Sequence, residues 1–267
     1  MDILKRSLAP ITDGAWGEIE DVAKDVLKTH LSARKIVDIE GPKGLDFAAV
    51  SLGRMDIGKG ENKKEVGYGI RKVQPLIESR IIFDLELWEL DNIERGADGI
   101  ELDNLEDAAR KIAQFEEDAV YHGFKDGNIQ GIKGSSPYEK LKFSGDPHEY
   151  LALISKGITE FVRASVDGPY ALVVGPEMWN YIHSQTKGYP LKRQLENLLG
   201  GKIILNAFLK ECYLFSVRGG DMKLYLGQDL SIGYHAHDTE KVQLYFTESF
   251  TFRIIDPAVI MEIDWDK

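Results

Sequence analysis

The stretch from Gly219 to Pro257 reads GGDMKLYLGQDLSIGYHAHDTEKVQLYFTESFTFRIIDP. Apolar side chains alternate with other residues along it in three runs: Met222, Leu224 and Leu226, then Val242, Leu244 and Phe246, then Phe250, Phe252 and Ile254. A period of two predicts β-strands that bury one face. The stretch contains no nucleophile paired with a base and no phosphate-binding loop. It therefore favours a structural role over a catalytic one.

The bulk properties exclude several classes of protein. The 267 residues suffice for one large domain or two medium ones, and 43% hydrophobic with 29% charged residues predicts a folded chain. A net charge of -11 argues against a nucleic-acid partner, since phosphate binding needs surplus Lys and Arg. The single cysteine, Cys212, excludes an internal disulfide framework. With no signal-peptide core and no apolar run of membrane-spanning length, we expect a cytoplasmic protein without a membrane partner.

Elsewhere the chain mixes helical and strand periodicity, which predicts an α+β fold. Helices are predicted at 13–31 and 104–122, from Asp146-Pro147 onward, from Pro176 onward, and at 191–199. Strands are predicted at 36–41, 170–174, 202–206 and 212–217. No internal repeat or low-complexity linker separates these elements.

The segment from Ala48 to Lys72 predicts a long hairpin whose tip, 58–64, is polar. A lone extended hairpin is marginally stable in water. We therefore expect an arm that packs on a neighbouring subunit.

Three groups of residues could carry chemistry, and a structural explanation is favoured for each. His235 and His237, next to Asp238, could hold a metal, but two ligands are weak evidence and a solvated turn is favoured. The run 116–118 (Glu-Glu-Asp) on the long helix predicts a solvated face. Cys212 lies in an apolar strand and is expected to be buried. We assign no catalytic residue and no metal site.

Trp88 is the most informative single side chain. In the segment 77–90 it shares the parity of Ile82, Asp84 and Glu86 and not that of the apolar set. A large aromatic on a polar face can anchor an interface or stack on a planar ligand, and Arg80 has the same parity. Packing of Trp88 under the hairpin or a neighbour is the favoured explanation.

Several long segments resemble the shell proteins of the encapsulin family, which includes proteins once labelled linocin-type bacteriocins. They are LKRSLAPITDGAW (4–16), ARKIVDIEGPKG (33–44), IESRIIFDLELWELDNIERG (77–96), GPYALVV (168–174), GGDMKLYLGQDLSIGY (219–234) and YFTESFTFRIIDP (245–257). The matching segments cover almost the whole chain.

The resemblance implies the major capsid fold of tailed bacteriophages. It would divide the chain into an N-terminal helix and arm (1–47), an extended loop (48–75), a peripheral domain with a spine helix (76–165), an axial domain (166–215) and a return to the peripheral domain (216–267). Family members assemble into closed icosahedral shells, with sixty copies in the smallest form.

The same resemblance implies that the shell encloses a cargo enzyme, either a ferritin-like protein or a dye-decolorising peroxidase, in iron storage or oxidative stress. The cargo's short C-terminal tail would dock on the inner wall. The matching positions form a set of mostly apolar residues with two polar ones: Leu27, Leu31, Arg34, Ile36, Asp38, Ile232 and Tyr234. Alternatively, Leu27 and Leu31 only seal their helix to its own domain.

Further roles follow from the resemblance. Some members resemble flavin binders, which here would place FMN on Trp88 and Arg80, although no cofactor is required.

The resemblance also implies pores at the symmetry axes of the shell. The fivefold pore would be lined by Gln185, Thr186, Lys187, Gly188 and Tyr189, and the region near the threefold axis by Tyr121, His122, Phe124, Lys125 and Asp126. We thus expect a non-catalytic shell; the alternatives are a flavin-dependent or proteolytic enzyme and a phage capsid protein.

Overall fold

The computed structural model describes residues 3–58, 67–143, 145–185 and 189–265. Within these ranges the strands are β1 (Asp38–Glu40), β2 (Ala49–Ile57), β3 (Gly69–Pro75), β4 (Ile77–Glu86), β5 (Leu141–Phe143), β6 (Tyr170–Val174), β7 (Ile203–Leu205), β8 (Cys212–Ser216), β9 (Met222–His237), β10 (Lys241–Ile254) and β11 (Ile260–Trp265). The α-helices are α1 (Asp13–His30), α2 (Leu87–Glu94), α3 (Asp103–Tyr121), α4 (Pro147–Arg163), α5 (Pro176–Ser184) and α6 (Leu191–Leu199). The predicted α+β class is confirmed.

The stretch that alternates in sequence forms the centre of a four-stranded sheet with the order β1-β9-β10-β4. β9 and β10 are antiparallel and joined by a tight turn, β4 is antiparallel to β10, and β1 is parallel to β9. The alternating apolar residues of β9 and β10 are buried as predicted, except that Ile254 is half-buried. The second and third apolar runs belong to the single strand β10, which contains β-bulges.

Two helices cover this sheet because each carries an apolar stripe at helical spacing. Thr12 caps α1, since its hydroxyl accepts the N–H of Ala15 at 3.1 Å. Trp16 and Ile19 of α1 and Leu105 of α3 are buried in one apolar cluster with Phe246 of β10. This cluster is separate from the larger core that fills the rest of the subunit.

The larger core lies around a five-stranded sheet with the order β5-β11-β8-β6-β7. Every residue of β6 and β8 is buried, as expected for central strands. The sheet takes β5 and β11 from outside 166–215, so the proposed axial segment shares its sheet with two distant parts of the chain. The domain boundaries themselves stay a prediction. Cys212 is buried in β8, as predicted, and burial raises its pKa to about 12.

The hairpin predicted at 48–72 is present as β2 and β3, paired antiparallel from Ala49↔Pro75 to Ile57↔Gly69. Its expected tip falls mainly on 59–66, outside the described residues. Met55, Ile57 and Val73 share one face of the ribbon and are exposed, Ile57 to 73%. The subunit thus presents three apolar side chains on this ribbon face, beside Arg71, that its own core does not cover.

The prediction that Trp88 continues the β4 alternation is wrong. The ladder between β4 and β10 ends at the pair Lys241↔Glu86, and α2 begins at Leu87. The reason is that Leu87, Leu90 and Ile93, spaced three apart, all pack on the smaller core, which only a helix allows. Trp88 is left on the outer side of α2, 73% exposed.

No helix within the described part of the chain is both long and apolar enough to cross a membrane.

Gly201 lies close to the backbone of β6, and a substitution at this position tests how closely the two segments pack. A Cβ at this position would collide with the backbone carbonyl of Tyr170, whereas a Cβ at Gly17 in α1 meets no atom within 4 Å. We expect Gly201→Ala to lower the Tm by several degrees, because backbone must move to admit the methyl group. Gly17→Ala should keep or raise the Tm, since alanine favours helix. Equal Tm values for the two variants, measured by calorimetry, would contradict this packing.

Candidate functional site

A groove of about 580 Å³ lies between α1 and β9 and is called the α1–β9 groove below. Its apolar lining consists of Leu4, Ala23, Leu27, Leu31, Leu230, Ile232 and Phe246. Its polar lining consists of Arg6, Glu20, Lys24, Lys28, Arg34, Lys35, Asp229 and Ser231. An apolar floor with polar groups at the margin is typical of sites that bind peptides or small molecules.

Local structure fixes both walls of the groove. Leu27 and Leu31 are one turn apart, so both face the same side, and the N–H of Leu31 bonds to the carbonyl of Leu27 at 2.9 Å. Ile232 is held opposite Phe246 by the β9–β10 register. At one end, the carbonyl of Leu4 accepts the N–H of Tyr234 at 2.8 Å. The groove therefore lies between a helix and a strand that are both held in place by packing on the smaller apolar core.

The edge of β9 beside the groove is open for part of its length. β1 pairs with residues 223–225, the segment at Lys43 and Gly44 bonds to the carbonyls of Leu226 and Gly227, and Leu4 bonds to Tyr234. Between Gly227 and Tyr234 the described residues place no strand against this edge. Since backbone groups alternate along a strand, the amide of Ile232 faces the same side as that of Tyr234. An extended chain could add to this edge.

Arg34 lies at the base of the groove, where its guanidinium joins three carboxylates. Nη2 donates to Glu116 at 2.5 Å and to Glu248 at 2.6 Å, Nε donates to Glu116 at 2.9 Å, and Nη1 donates to Asp229 at 2.8 Å. The Arg34 side chain is 15% exposed, and both glutamate side chains are fully buried. Removing one member of such a buried set typically costs about 3–5 kcal/mol.

Burial and the carboxyl groups around it also perturb the titration of this cluster. Burial, together with the neighbouring Glu116 carboxylate, raises the pKa of Glu248 well above its usual value, although the charge of Arg34 acts to lower it. Burial alone would lower the pKa of Arg34, but its hydrogen bond to Glu116 and the surrounding carboxylates raise it. The guanidinium is engaged on three sides, and its first role is to join the elements around it.

A second buried network lies next to the Arg34 cluster. Glu117 accepts the Ala33 N–H at 2.8 Å, the Ser32 hydroxyl at 2.5 Å and the Asn206 amide at 2.6 Å. Burial raises the pKa of Glu117 to about 8 despite the hydrogen bonds from Ser32 and Ala33. The network ties α3 to the turn after α1 and to the loop after β7.

The prediction of a solvated face at 116–118 is therefore wrong for Glu116 and Glu117, which are 0% and 1% exposed. Their partners Arg34 and Ala33 lie 82 and 84 residues away, so no local pattern shows them. Asp118 is half-exposed and contacts His122 at 3.2 Å. Glu116 does continue the α3 stripe four residues after Ile112, which is the signal that could have found it.

Four of the seven predicted cargo-contacting residues, Leu27, Leu31, Arg34 and Ile232, line the α1–β9 groove. Ile36 and Asp38 line a neighbouring depression instead, and Asp38 accepts the Gly220 N–H. Tyr234 lies beyond the groove's end, and its hydroxyl bonds to His237 at 2.6 Å. The residues that sequence reasoning missed are mainly the lysines of the margin and the N-terminal residues Leu4 and Arg6.

The two residues predicted to hold a flavin are not brought together within one subunit. The Arg80 guanidinium lies over Tyr245 at 4.2 Å, while Arg95 lies over Trp88 at 5.5 Å. Six residues of strand from Arg80 to Glu86 span about 20 Å, and Trp88 follows in α2. The described residues of one subunit thus do not form a cradle for FMN on this pair, and the flavin stays a prediction.

The predicted pore residues fall in two places. Thr186, Lys187 and Gly188 lie outside the described residues, and Tyr189 beside them is exposed. His122 ends α3, with its Nε2 3.7 Å from Glu211, and Lys125 lies in the following 3-10 turn. Their position at symmetry axes stays a prediction.

His235 and His237 are exposed at the end of β9, where the turn predicted at Asp238 is present. Within the described ranges no three His, Cys, Asp or Glu side chains are grouped as metal ligands.

The pKa of Glu117 predicts a pH dependence of stability. The folded protein keeps this proton up to about pH 8, whereas the unfolded chain loses it near the usual 4.5. The contribution is therefore full below the unfolded pKa and is lost as the pH rises through the folded pKa. We expect the wild-type Tm to fall several degrees more than that of Glu117→Gln between pH 5 and pH 9.

Glu211→Gln is the matched control for this experiment. Burial would raise the pKa of Glu211, but its hydrogen bond to Lys133 lowers it to about 2, so its proton is released below the range measured. The Tm of this variant should follow the wild-type pH dependence. An unchanged pH dependence in Glu117→Gln would show that Glu117 is ionised throughout.

Comparison with known proteins places this geometry in a family. The model of a family described as encapsulating protein for peroxidase matches residues 1–251. A type 1 encapsulin shell protein of Rhodococcus erythropolis is 38% identical over 264 residues, covering 98% of this chain and 100% of that protein. Another, of Rhodospirillum rubrum, is 40% identical over 270 residues, covering 98% of this chain and 96% of that protein.

Solved structures confirm the capsid fold. The virus-like particle from Pyrococcus furiosus matches with a TM-score of 0.67 at 17% identity, covering 93% of this chain and 99% of that chain. The capsid of Myoviridae Phage XM1 matches with a TM-score of 0.58 at 12% identity, covering 87% and 91%. Since the family model and the relatives span nearly the whole sequence, the chain belongs to the type 1 encapsulin shell proteins.

Proposed function

We propose that this protein assembles sixty copies into a closed icosahedral shell in the cytoplasm, which encloses a cargo enzyme and admits small substrates through pores. Membership of the encapsulin shell family, with a capsid fold, makes the chain a shell-forming protein. The near-complete match to named shell proteins is the observation that carries the proposal. The wall itself catalyses nothing, and the enclosed protein supplies the chemistry.

The β2–β3 ribbon supports assembly. Its apolar face, formed by Met55, Ile57 and Val73, is exposed in the single subunit. Burial of such side chains at about 25 cal/mol per Å² favours association with another surface. In a closed symmetric shell every subunit would supply this face to a neighbour and receive one in turn.

The α1–β9 groove supports cargo binding. Its apolar floor and the open edge of β9 suit an extended peptide, whose backbone would pair with the strand while alternate side chains fill the floor. We propose that the occupant is the C-terminal tail of the cargo. The description of the family model names a peroxidase, which supports that class over a ferritin-like cargo.

Assembly is tested on the purified protein by native mass spectrometry and electron microscopy. We expect closed particles of about sixty times the 30.0 kDa of one chain. The double variant Ile57→Asp/Val73→Asp should give soluble, folded subunits without particles, because charges would be buried at the contact. Ile57→Val is the matched control and should assemble. Wild-type protein that stays a monomer would overturn the proposed shell.

Cargo binding is tested in the native host by the proteins that co-purify with the particles. Leu27→Asp puts a charge on the floor of the groove, so we expect intact particles with at least tenfold less co-purifying cargo. Leu27→Met keeps the floor apolar and should retain the cargo. Full cargo loading in the aspartate variant would exclude the α1–β9 groove as the docking site.

A further inference from the structure

The charge of the α1–β9 groove is opposite to that of the whole protein. Five cationic side chains and two carboxylates line it, on a chain of net charge -11. Arg6 pairs with Glu20 at 2.5 Å, and Arg34 pairs with Asp229 at 2.8 Å. The other three cationic residues of the groove are Lys24, Lys28 and Lys35. These three are exposed, and the described part of the chain supplies them with no ion pair.

The fold explains this arrangement only in part. Lys28 lies in the last turn of α1, where a cation suits the helix dipole. Lys24 lies further back, and its neighbour one turn on is Lys28, so the two repel each other. Lys35 follows the helix in a 3-10 turn; burial raises the pKa of Glu117, and the charge of Lys35 opposes this effect only in part. Among the described residues no ion pair accounts for Lys24, although Asp21 lies three residues before it on the same helix.

We propose that the α1–β9 groove selects an extended peptide whose apolar side chains alternate with carboxylates, and that Lys24, Lys28 and Lys35 are the specificity-determining residues. This rests on the proposed function, in which the groove holds the cargo tail. Apolar side chains fill the floor formed by Leu27, Leu31 and Ile232, and Asp or Glu side chains of the other parity reach the lysines.

The spacing of the lysines fits this occupant. Lys24 and Lys28 are four residues apart on α1, which is about 6 Å along the helix axis. Alternate side chains of an extended peptide are about 6.6 Å apart. An acidic residue at every second position of a peptide lying along α1 therefore meets the lysines one for one. Pairing at the exposed margin adds selectivity against basic tails, since like charges would be juxtaposed there.

The test uses whole particles loaded during co-expression. A fluorescent protein carries one of three tails that have the same apolar residues alternating with Asp, Ser or Lys, and a version without a tail sets the background. Load per particle is read from the fluorophore absorbance of purified shells. In the wild type we expect the Asp tail to load about tenfold more than the Lys tail, with the Ser tail between them.

Charge reversal in the wall identifies the residues responsible. Lys24→Glu/Lys28→Glu should invert the order of the tails, and Lys24→Gln/Lys28→Gln/Lys35→Gln, which adds no repulsion to the shell, should abolish the difference between them. Lys156→Glu/Lys202→Glu makes the same charge change at two exposed lysines outside the groove and should keep the wild-type order.

Two results would overturn the inference. Equal loading of the Asp and Lys tails, both above background, would remove the charge selectivity and leave the groove as an apolar docking site. Loading of every tail at background would remove the docking site too. The first result affects only the role of the lysines, whereas the second also overturns the proposed cargo binding.

Discussion

The relative positions of several helices and strands in the subunit depend on one guanidinium, that of Arg34. Arg34 lies in the turn between α1 and β1, and its hydrogen bonds reach α3 through Glu116, β9 through Asp229 and β10 through Glu248. A buried cation is stabilised by the carboxylates around it, and the two glutamates, Glu116 and Glu248, are buried beside this cation. The helix, the turn and the two long strands are therefore held in one arrangement by a set of groups that cannot be separated cheaply.

This cluster lies where the two apolar cores meet. α3 contributes Leu105 and Ile112 to the smaller core and Val120 and Tyr121 to the larger one. Glu116 and Glu117 lie between these positions, and their partners tie α3 to the turn after α1 and to Asn206. Apolar contacts alone would let the two cores slide, since they are non-directional. Hydrogen bonds are directional, so those of Glu116 and Glu117 add contacts of defined geometry between the two cores.

Most of the architecture could be predicted from local patterns. The strands 170–174 and 212–217 and the helices 104–122 and 191–199 follow from periodicity, because each buries one face or a whole strand. The α1–β9 groove could be foreseen only in part, through Leu27, Leu31, Arg34 and Ile232, since its margin depends on which residues the fold brings near. Glu248 shows what a local sequence pattern cannot predict. It occupies an inward position of β10 between Phe246 and Phe250, a visible conflict in the pattern, but its partner Arg34 is 214 residues away.

The same cluster explains how a groove can be lined by charges and still accept apolar side chains. The cation at its base, Arg34, is saturated by Glu116, Glu248 and Asp229, so it does not require a counter-ion from an occupant. The lysines at the margin stay hydrated when the groove is empty and lose little water when it is filled, because they are exposed. The strong electrostatic interactions of Arg34 thus lie at the base of the groove, where they hold its walls in position. Weak ones remain at the margin, where they can discriminate between occupants without costing the affinity that the apolar floor provides.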